Sequence, residues 1–452
     1  MTLFSNCTTR RKPSPSFFII IIMLCCAILI ILCTYAPKNV PKNQKNVFEE
    51  FIKTLPPAFN VDVPLSSTSN DASEKEIRTN YKQFHDNNFQ DTLKMTASSK
   101  ICFLVTGAAG YIGSHMVLHL LDAGYRVIGI DNLSRGSNVT VKYLSTFSEF
   151  IFEFVDLGLV QDVQRIMSKY KQVSAVFHFA GNAFVGESVE YPRLYAANIT
   201  QNTRHVVDAM LKNGISPLVY SSSCSVYGNP EVLPVTETTP LSPLSPYAVA
   251  KADAEAYIRS KISDYFQAHI MRYFNVVGAD PKNRLGENPR PDLAQYGRLW
   301  TSCVDAALGR QQCVFVRHTT LNTPDGSAIR DYIHVQDLVR AHLAVLSANL
   351  EERVNIWNVG RGKETSVIEF VRTARRVSGS NFTVCTASTN EQGHSQEAVR
   401  LVASSKKLQS MTGWVPEFVH LDIILETAWK YVLSRHSPRL QKTYFITTKK
   451  RH

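Results

Sequence analysis

Ile101 to Thr106 is an apolar run that passes directly into Gly107-Ala-Ala-Gly110-Tyr-Ile-Gly113 and then into a helical pattern with Met116, Val117, Leu120 and Leu121 on one face. Such a strand–turn–helix narrows the fold more than any other stretch of the chain. A buried strand that enters a helix through glycines needs them for a tight turn, for close approach of backbone to a ligand, and for close helix–strand packing. The first helical turn then offers unpaired N–H groups and the positive end of a dipole, which suits a pyrophosphate. A second strand, Tyr125 to Ile130, ends in Asp131. An acid at that place accepts from the two hydroxyls of an adenosine ribose and repels a 2′-phosphate, so NAD is expected rather than NADP.

From about Lys100 onward, apolar strands alternate with amphipathic helices, the pattern of a parallel sheet covered on both faces. The expected class is therefore α/β, with a doubly wound, Rossmann-like NAD-binding domain over 99–274 to which later strands and helices return. A smaller substrate-binding part is expected mainly over 275–440, with a basic tail at 441–452. The chain shows no internal repeat.

The N-terminal quarter reads differently. Phe17 to Tyr35 is an almost unbroken apolar run without charge, preceded by Arg10, Arg11 and Lys12. About nineteen residues at helical rise just cross a bilayer core. A cleaved signal peptide is the alternative, but a clear small-residue cleavage site is missing. The expectation is a cytosolic tail at 1–16, a transmembrane anchor at 17–35 and a polar stem at 36–98, with the catalytic part luminal, in the Golgi. Lys38, Lys42 and Lys45 follow the run and weaken the positive-inside contrast. Asn138, Asn198 and Asn381 head glycosylation sequons.

The net charge of +11 admits nucleic acid, a membrane surface or an anionic substrate as partner. No Lys/Arg tract with interleaved aromatics is present, which argues against nucleic acid. The nine cysteines form no CxxC pair, so no metal ligand is expected; Cys102, Cys224, Cys303, Cys313 and Cys385 are scattered, unlike a disulfide framework.

The chemistry points to Leu244-Ser-Pro-Tyr247-Ala-Val-Ala-Lys251. Ser245 suits an N-cap and Pro246 a helix start. Tyr247 and Lys251 then share a helical face. A nearby ammonium favours phenolate and lowers a tyrosine pKa that is ordinarily about 10. Upstream, Tyr220-Ser-Ser-Ser-Cys-Ser-Val-Tyr227-Gly228 reads as a strand end opening into a loop at the ligand crevice. Ser223 could relay a proton between substrate and Tyr247; alternatively, Ser222 or Ser223 caps a turn.

With these stretches in view, residues 100 to 430 resemble the sugar-nucleotide branch of the extended short-chain dehydrogenases, and most of all the UDP-sugar 4-epimerases. The resemblance runs through Val105 to His115, Asp131 to Gly136, His178 to Gly181, Val185 to Ser188, Ser221 to Gly228, Tyr247 to Lys251, Arg272 to Gly278, Arg330 to Asp337 and Asn358 to Gly360. It implies that Gly107, Gly110, Tyr111, Ile112, Gly113, Asp131, Asn132, Asp156, Phe179, Ala180, Asn198 and Lys251 hold NAD, with Asp156 at the adenine. It also implies that Ser223, Tyr247, Asn275 and Arg330 meet a UDP-sugar, Arg330 at its diphosphate, where a guanidinium fork suits phosphate. A homodimer is implied too.

Related dehydratases and UDP-glucuronate decarboxylases carry a carboxylate just before Val-Tyr-Gly, where this chain has Ser223, Cys224 and Ser225. Arg284 to Arg298, Cys224 and the anchor resemble the plant membrane-anchored UDP-arabinose (UDP-xylose) 4-epimerases. Two places depart from the pattern. Thr389-Asn-Glu-Gln-Gly-His394 lacks the usual diphosphate arginine, so that either another residue such as Arg400 substitutes or binding is weakened, and Trp357 stands in place of a tyrosine. The implied activity is UDP-arabinose/UDP-xylose interconversion. The alternatives are a UDP-glucose/UDP-galactose 4-epimerase, a UDP-glucuronate decarboxylase-like enzyme and a non-catalytic sugar-nucleotide binder.

Overall fold

The computed structural model describes residues 101–348, 352–386 and 398–436. Seven parallel strands form the main sheet: β1 (Cys102–Thr106), β2 (Arg126–Asp131), β3 (Phe150–Phe154), β4 (Ala175–His178), β5 (Leu218–Ser223), β6 (Ala268–Tyr273) and, much later in the chain, β11 (Val354–Val359). Their order is β11-β6-β5-β4-β1-β2-β3. From β1 in the middle of the sheet the strands run outward to β3, then the chain crosses back to β4 and onward. The sheet's crevice lies where the order reverses, outside the carboxyl ends of β1 and β4.

Strand alternation explains why both faces are covered. In β1, Cys102 and Leu104 join one buried cluster with Val206, Val207 and Ile258. Phe103 and Val105 join the other, with Met116, Val117 and Leu120. Side chains two apart share a face and neighbours do not, so a continuous apolar run is what a sheet buried on both sides requires. Leu104 is fully buried; truncation to alanine at such a place costs about 2–5 kcal/mol.

Three small sheets sit on the C-terminal side. The first pairs β7 (Asn275–Val277) with β10 (Tyr332–His334), and the second pairs β8 (Cys313–Val316) with β13 (Thr383–Thr386). The third joins β9 (Ile329–Arg330), β12 (Thr365–Ser366) and β14 (Arg400–Leu401). Their core gathers Trp300, Val314, Phe370, Ile424 and Trp429. The part of the chain after residue 275 is not all on this side: helix Val335–Ala344 packs on helix Tyr111–Asp122, and β11 pairs with β6.

Two sequence expectations change here. Cys313 and Cys385 form a disulfide, with Cα atoms 5.8 Å apart. The pairing is invisible in the spacing because it depends on β8 and β13 lying side by side from positions 72 residues apart. Trp357 is fully buried in β11, stacked on His269 and overlain by the Lys407 ammonium. It belongs to the sheet's packing and does not line the ligand cavity, so its departure from tyrosine does not bear on substrate.

Among the described residues, no helix is long and apolar enough to cross a membrane. The expected tail at 1–16, anchor at 17–35, stem at 36–98 and C-terminal tail at 441–452 lie outside the described residues. So does the arginine-lacking stretch Thr389 to His394.

Candidate active site

β1 delivers Gly107 at the sheet's carboxyl edge with a left-handed backbone, φ +67°. A Cβ there would lie 2.7 Å from the Ala180 nitrogen, and one on Gly113 would lie 2.1 Å from the Gly107 carbonyl oxygen. Only hydrogen fits at either place. Gly110 is the N-cap of helix Tyr111–Asp122 and has no side-chain cap, which leaves the first-turn N–H groups facing the crevice. Such a bare cradle fits a pyrophosphate.

Asp131 closes β2. Its carboxylate accepts from the Ala109 and Leu133 amides at 3.0 and 2.7 Å, and burial nevertheless raises its pKa. Asn132 beside it accepts from the Ser134 amide. Asp131, Asn132, Phe179, Ala180 and Asn198 line one hollow together with Gly107 and Gly110. Asn198 accepts from the Asn182 amide at 2.7 Å. Asp156 stands between Val155 and Leu157, which line that hollow, and its own carboxylate accepts from the Gly158 amide. His178 ties the end of β4 between Thr106 and Thr203 and is pushed down to about 3 by burial. It is therefore a neutral, structural imidazole.

A second and larger cavity, about 790 Å³, continues from the glycines past the catalytic pair. Tyr111, Ile112, Gly113, Ser223, Tyr247, Lys251, Asn275 and Arg330 all line it. The two motifs, more than a hundred residues apart, thus open into one space.

Helix Pro246–Ser260 places the pair. Ser245 caps it, accepting from the Ala248 amide at 3.2 Å, with Pro246 at the first turn as the sequence predicts. Ser223 ends β5 and also caps the short turn Cys224–Tyr227. The Ser223 hydroxyl also lowers the Tyr247 pKa, which favours phenolate. Capping and proton relay are therefore compatible roles of one hydroxyl. Ser222 takes neither; it donates to Glu255, which is ion-paired with Arg272 in the protein interior.

Lys251 is buried beside the end of β5. Its ammonium donates to the Ser221 carbonyl at 2.6 Å and lies over the Tyr220 ring. Burial pulls its pKa down to about 7, against the Glu255 charge. Tyr247 has its pKa raised by burial, opposed by the Ser223 hydroxyl and by Arg298. Arg298 is a cation that lowers the Tyr247 pKa. Sequence reasoning gave Arg298 no role, because it follows Tyr247 by 51 positions at no periodic spacing.

Arg330 lies in β9, its guanidinium donating to the Ile329 carbonyl at 2.9 Å. Asn275 is exposed in β7, and its amide is engaged by the Asp331 carbonyl. Arg400, the expected substitute for the missing arginine, is paired with Glu364 and does not line the cavity. Arg317 does line it, beside Gly186. No motif could have singled it out, since only the fold carries β8 to this wall.

Residues 103–360 match the NAD dependent epimerase/dehydratase family. UDP-arabinose 4-epimerase 1 of Arabidopsis thaliana is 41% identical over 334 residues, which make up 73% of this chain and 78% of that protein. The UDP-glucose 4-epimerase of Bifidobacterium longum, solved with NAD+ and UDP, superposes with a TM-score of 0.68 at 29% identity, over 74% of this chain and 98% of that one. A UDP-glucose 4-epimerase of Stenotrophomonas maltophila, solved with NAD and formylated UDP-arabinopyranose, gives 0.67 at 28% identity, over 75% of this chain and all of that one.

Proposed function

This chain belongs to the NAD dependent epimerase/dehydratase family, and on that premise we propose that it inverts the C4 hydroxyl of a UDP-pentose, interconverting UDP-arabinose and UDP-xylose. One observation carries the chemistry: Tyr247 and Ser223 open into the same cavity as the glycine cradle. The pentose follows from the likeness to UDP-arabinose 4-epimerase 1.

NAD, held by Gly107 to Gly113 and Asp131, supplies a reversible acceptor for the C4 hydride. The chain's own residues do the rest. Tyr247 takes the proton of the C4 hydroxyl, directly or through Ser223, and returns it after the sugar has presented its other face. Lys251 holds the strand end through Ser221 and stands ready for the cofactor ribose. Arg330 meets the diphosphate, assisted by Arg317 on the same wall. Asn275 meets the UDP portion. Among the described residues that line the larger cavity, the one carboxylate is Glu287, and it is committed to Arg298. That favours hydride transfer out and back over water elimination, which needs a free acid near the sugar.

The setting is part of the proposal. An uncleaved anchor at 17–35 holds a luminal enzyme in the Golgi, working as a homodimer. The Cys313–Cys385 disulfide supports a luminal site, because such bonds persist in oxidising compartments.

The direct experiment incubates the purified protein with UDP-arabinose, UDP-xylose, UDP-glucose and UDP-galactose and identifies products. Interconversion of the two pentose nucleotides is expected, with slower turnover of the hexoses. Preference for UDP-galactose over both pentoses would overturn the pentose assignment, and no turnover of any of them would overturn the epimerase reading.

A further inference from the structure

Six residues line both the cofactor hollow and the larger cavity: Gly107, Gly110, Arg135, Phe179, Gly181 and Asn182. They mark the passage between the space beside Asp131 and the space beside Tyr247. A dinucleotide with its adenosine ribose at Asp131 and its nicotinamide end toward Tyr247 crosses that passage with its pyrophosphate. Among the described residues, Arg135 is the one cation of the six and the one cation on the smaller hollow.

Contacts on two sides fix its place. Gly136, the next residue, is pressed on the glycine turn: a Cβ there would lie 2.6 Å from the Ala109 Cβ. The Ser137 amide donates to the Ala109 carbonyl at 3.0 Å, and the Ala109 amide donates to Asp131. The segment that carries Arg135 is thereby laced to the cradle Gly107 to Gly113. At the far end of the side chain, Nη2 donates to Glu187 at 2.6 Å. Glu187 is buried, and its other oxygen accepts from the Tyr195 hydroxyl at 2.8 Å. It lines neither hollow, so the carboxylate holds the guanidinium from behind. Nη1 is shut off from solvent and has no hydrogen-bond partner among the described residues. A buried donor without an acceptor is disfavoured, and a small turn of the guanidinium about its Glu187 bond would bring it to an acceptor in the passage.

We propose that Arg135 is a cofactor-binding residue that grips the NAD pyrophosphate together with the first-turn N–H groups after Gly110. A helix N-terminus offers only a partial positive charge. A guanidinium adds a whole one, with charge-assisted hydrogen bonds in a fixed fork. Glu187 is the positioning residue that aims it. The inference rests on NAD as the cofactor and not on which sugar is inverted.

The test reads binding rather than turnover. ADP-ribose carries the pyrophosphate and adenosine does not. Each is titrated against the NAD held by the purified protein, and released NAD is measured. The ratio of their effectiveness cancels any change in the hold on NAD itself. In Arg135→Met the advantage of ADP-ribose over adenosine is expected to fall at least about 10-fold, the scale of one lost hydrogen bond to a charged group. That variant leaves Glu187 buried without its cation, which is destabilising. Arg135→Met combined with Glu187→Gln removes both charges, keeps an acceptor for Tyr195 and should show the same fall; it decides the question if the single variant does not fold. Affinity for UDP, measured by calorimetry, should stay within a few-fold of the parent, because Arg330 is assigned to that diphosphate. An unchanged ratio in the folded variants overturns the proposal. So does a loss confined to UDP, which would give Arg135 to the substrate. A parent that inverts no UDP-sugar, with the ratio falling as expected in the variants, overturns the epimerase reading alone.

Discussion

The Lys251 ammonium donates to the Ser221 carbonyl oxygen at 2.6 Å, tying the catalytic helix to the end of β5. Ser221 stands two residues before Ser223, so the strand end that bears Ser223 and the helix that bears Tyr247 share a common anchor. Lys251 thus positions the strand end, and Ser223 and Arg298 lower the Tyr247 pKa against its burial.

A pH dependence of stability follows from the buried ammonium. Burial holds Lys251 at about 7 in the folded chain, against about 10.4 for a free lysine. Below pH 7 both folded and unfolded chains carry the proton, and burying the charge opposes folding. From pH 7 upward the folded chain releases it while the unfolded chain keeps it, so stability rises with pH, by at most about 1.4 kcal/mol per unit. In Lys251→Met this rise should disappear. Denaturant unfolding of both proteins at pH 7, 8 and 9 checks it, and equal pH slopes for the two would contradict the assignment.

Tyr247→Phe keeps the ring and its packing but deletes the oxygen that takes the C4 proton. Turnover should fall by roughly 10²-fold or more, the scale for removing a positioned acid–base group. NAD content should stay at the parental level, since the cradle is untouched. A variant that keeps NAD and works within a few-fold of the parent would move the base elsewhere.

Gly113→Ala places a methyl 2.1 Å from the Gly107 carbonyl oxygen, a contact with backbone that cannot rotate away. The turn and the helix must separate. The purified variant is expected to contain little or no NAD and to melt below the parent. Gly309→Ala is a control of another kind: a Cβ there meets nothing within 4 Å, so the strain of its left-handed backbone, φ +72°, acts alone. It should lower the melting temperature slightly and leave NAD in place. Retention of NAD by Gly113→Ala would argue against the cradle.

A luminal domain should carry a glycan at Asn381, because Asn381 and Thr383 are both exposed. Asn198 heads a sequon as well, but its side chain holds the Asn182 amide inside the cofactor hollow, and no glycan is expected there. In intact vesicles, protease should spare the domain until detergent is added. Glycosidase should increase its gel mobility, and Asn381→Gln should remove one glycan's worth of that shift. Digestion without detergent would reverse the topology.

Much of the site is legible in the sequence for a local reason. Gly107, Gly110 and Gly113 act within a single turn, Asp131 ends the next strand, and Ser245, Tyr247 and Lys251 are set by the pitch of one helix. Such relationships are fixed by backbone geometry over a few residues, and residue type with spacing reveals them. The order of the seven-stranded sheet was legible at the level of class, since alternating strands and helices allow few arrangements.

What lies across the cavity from those motifs depended on tertiary structure. Arg298 reaches the neighbourhood of Tyr247, and Cys313 reaches Cys385, because separate loops and strands are packed together, and no periodicity records either encounter. The partner of Lys251 is a backbone carbonyl, which every residue offers and no sequence can mark. Trp357 reads as a pocket substitution until its strand is seen inside the main sheet. The sequence by itself determined the cofactor cradle and the reacting tyrosine, because local geometry encodes them. The tertiary structure alone decided which charges face that tyrosine, because those charges come from distant segments brought together by packing.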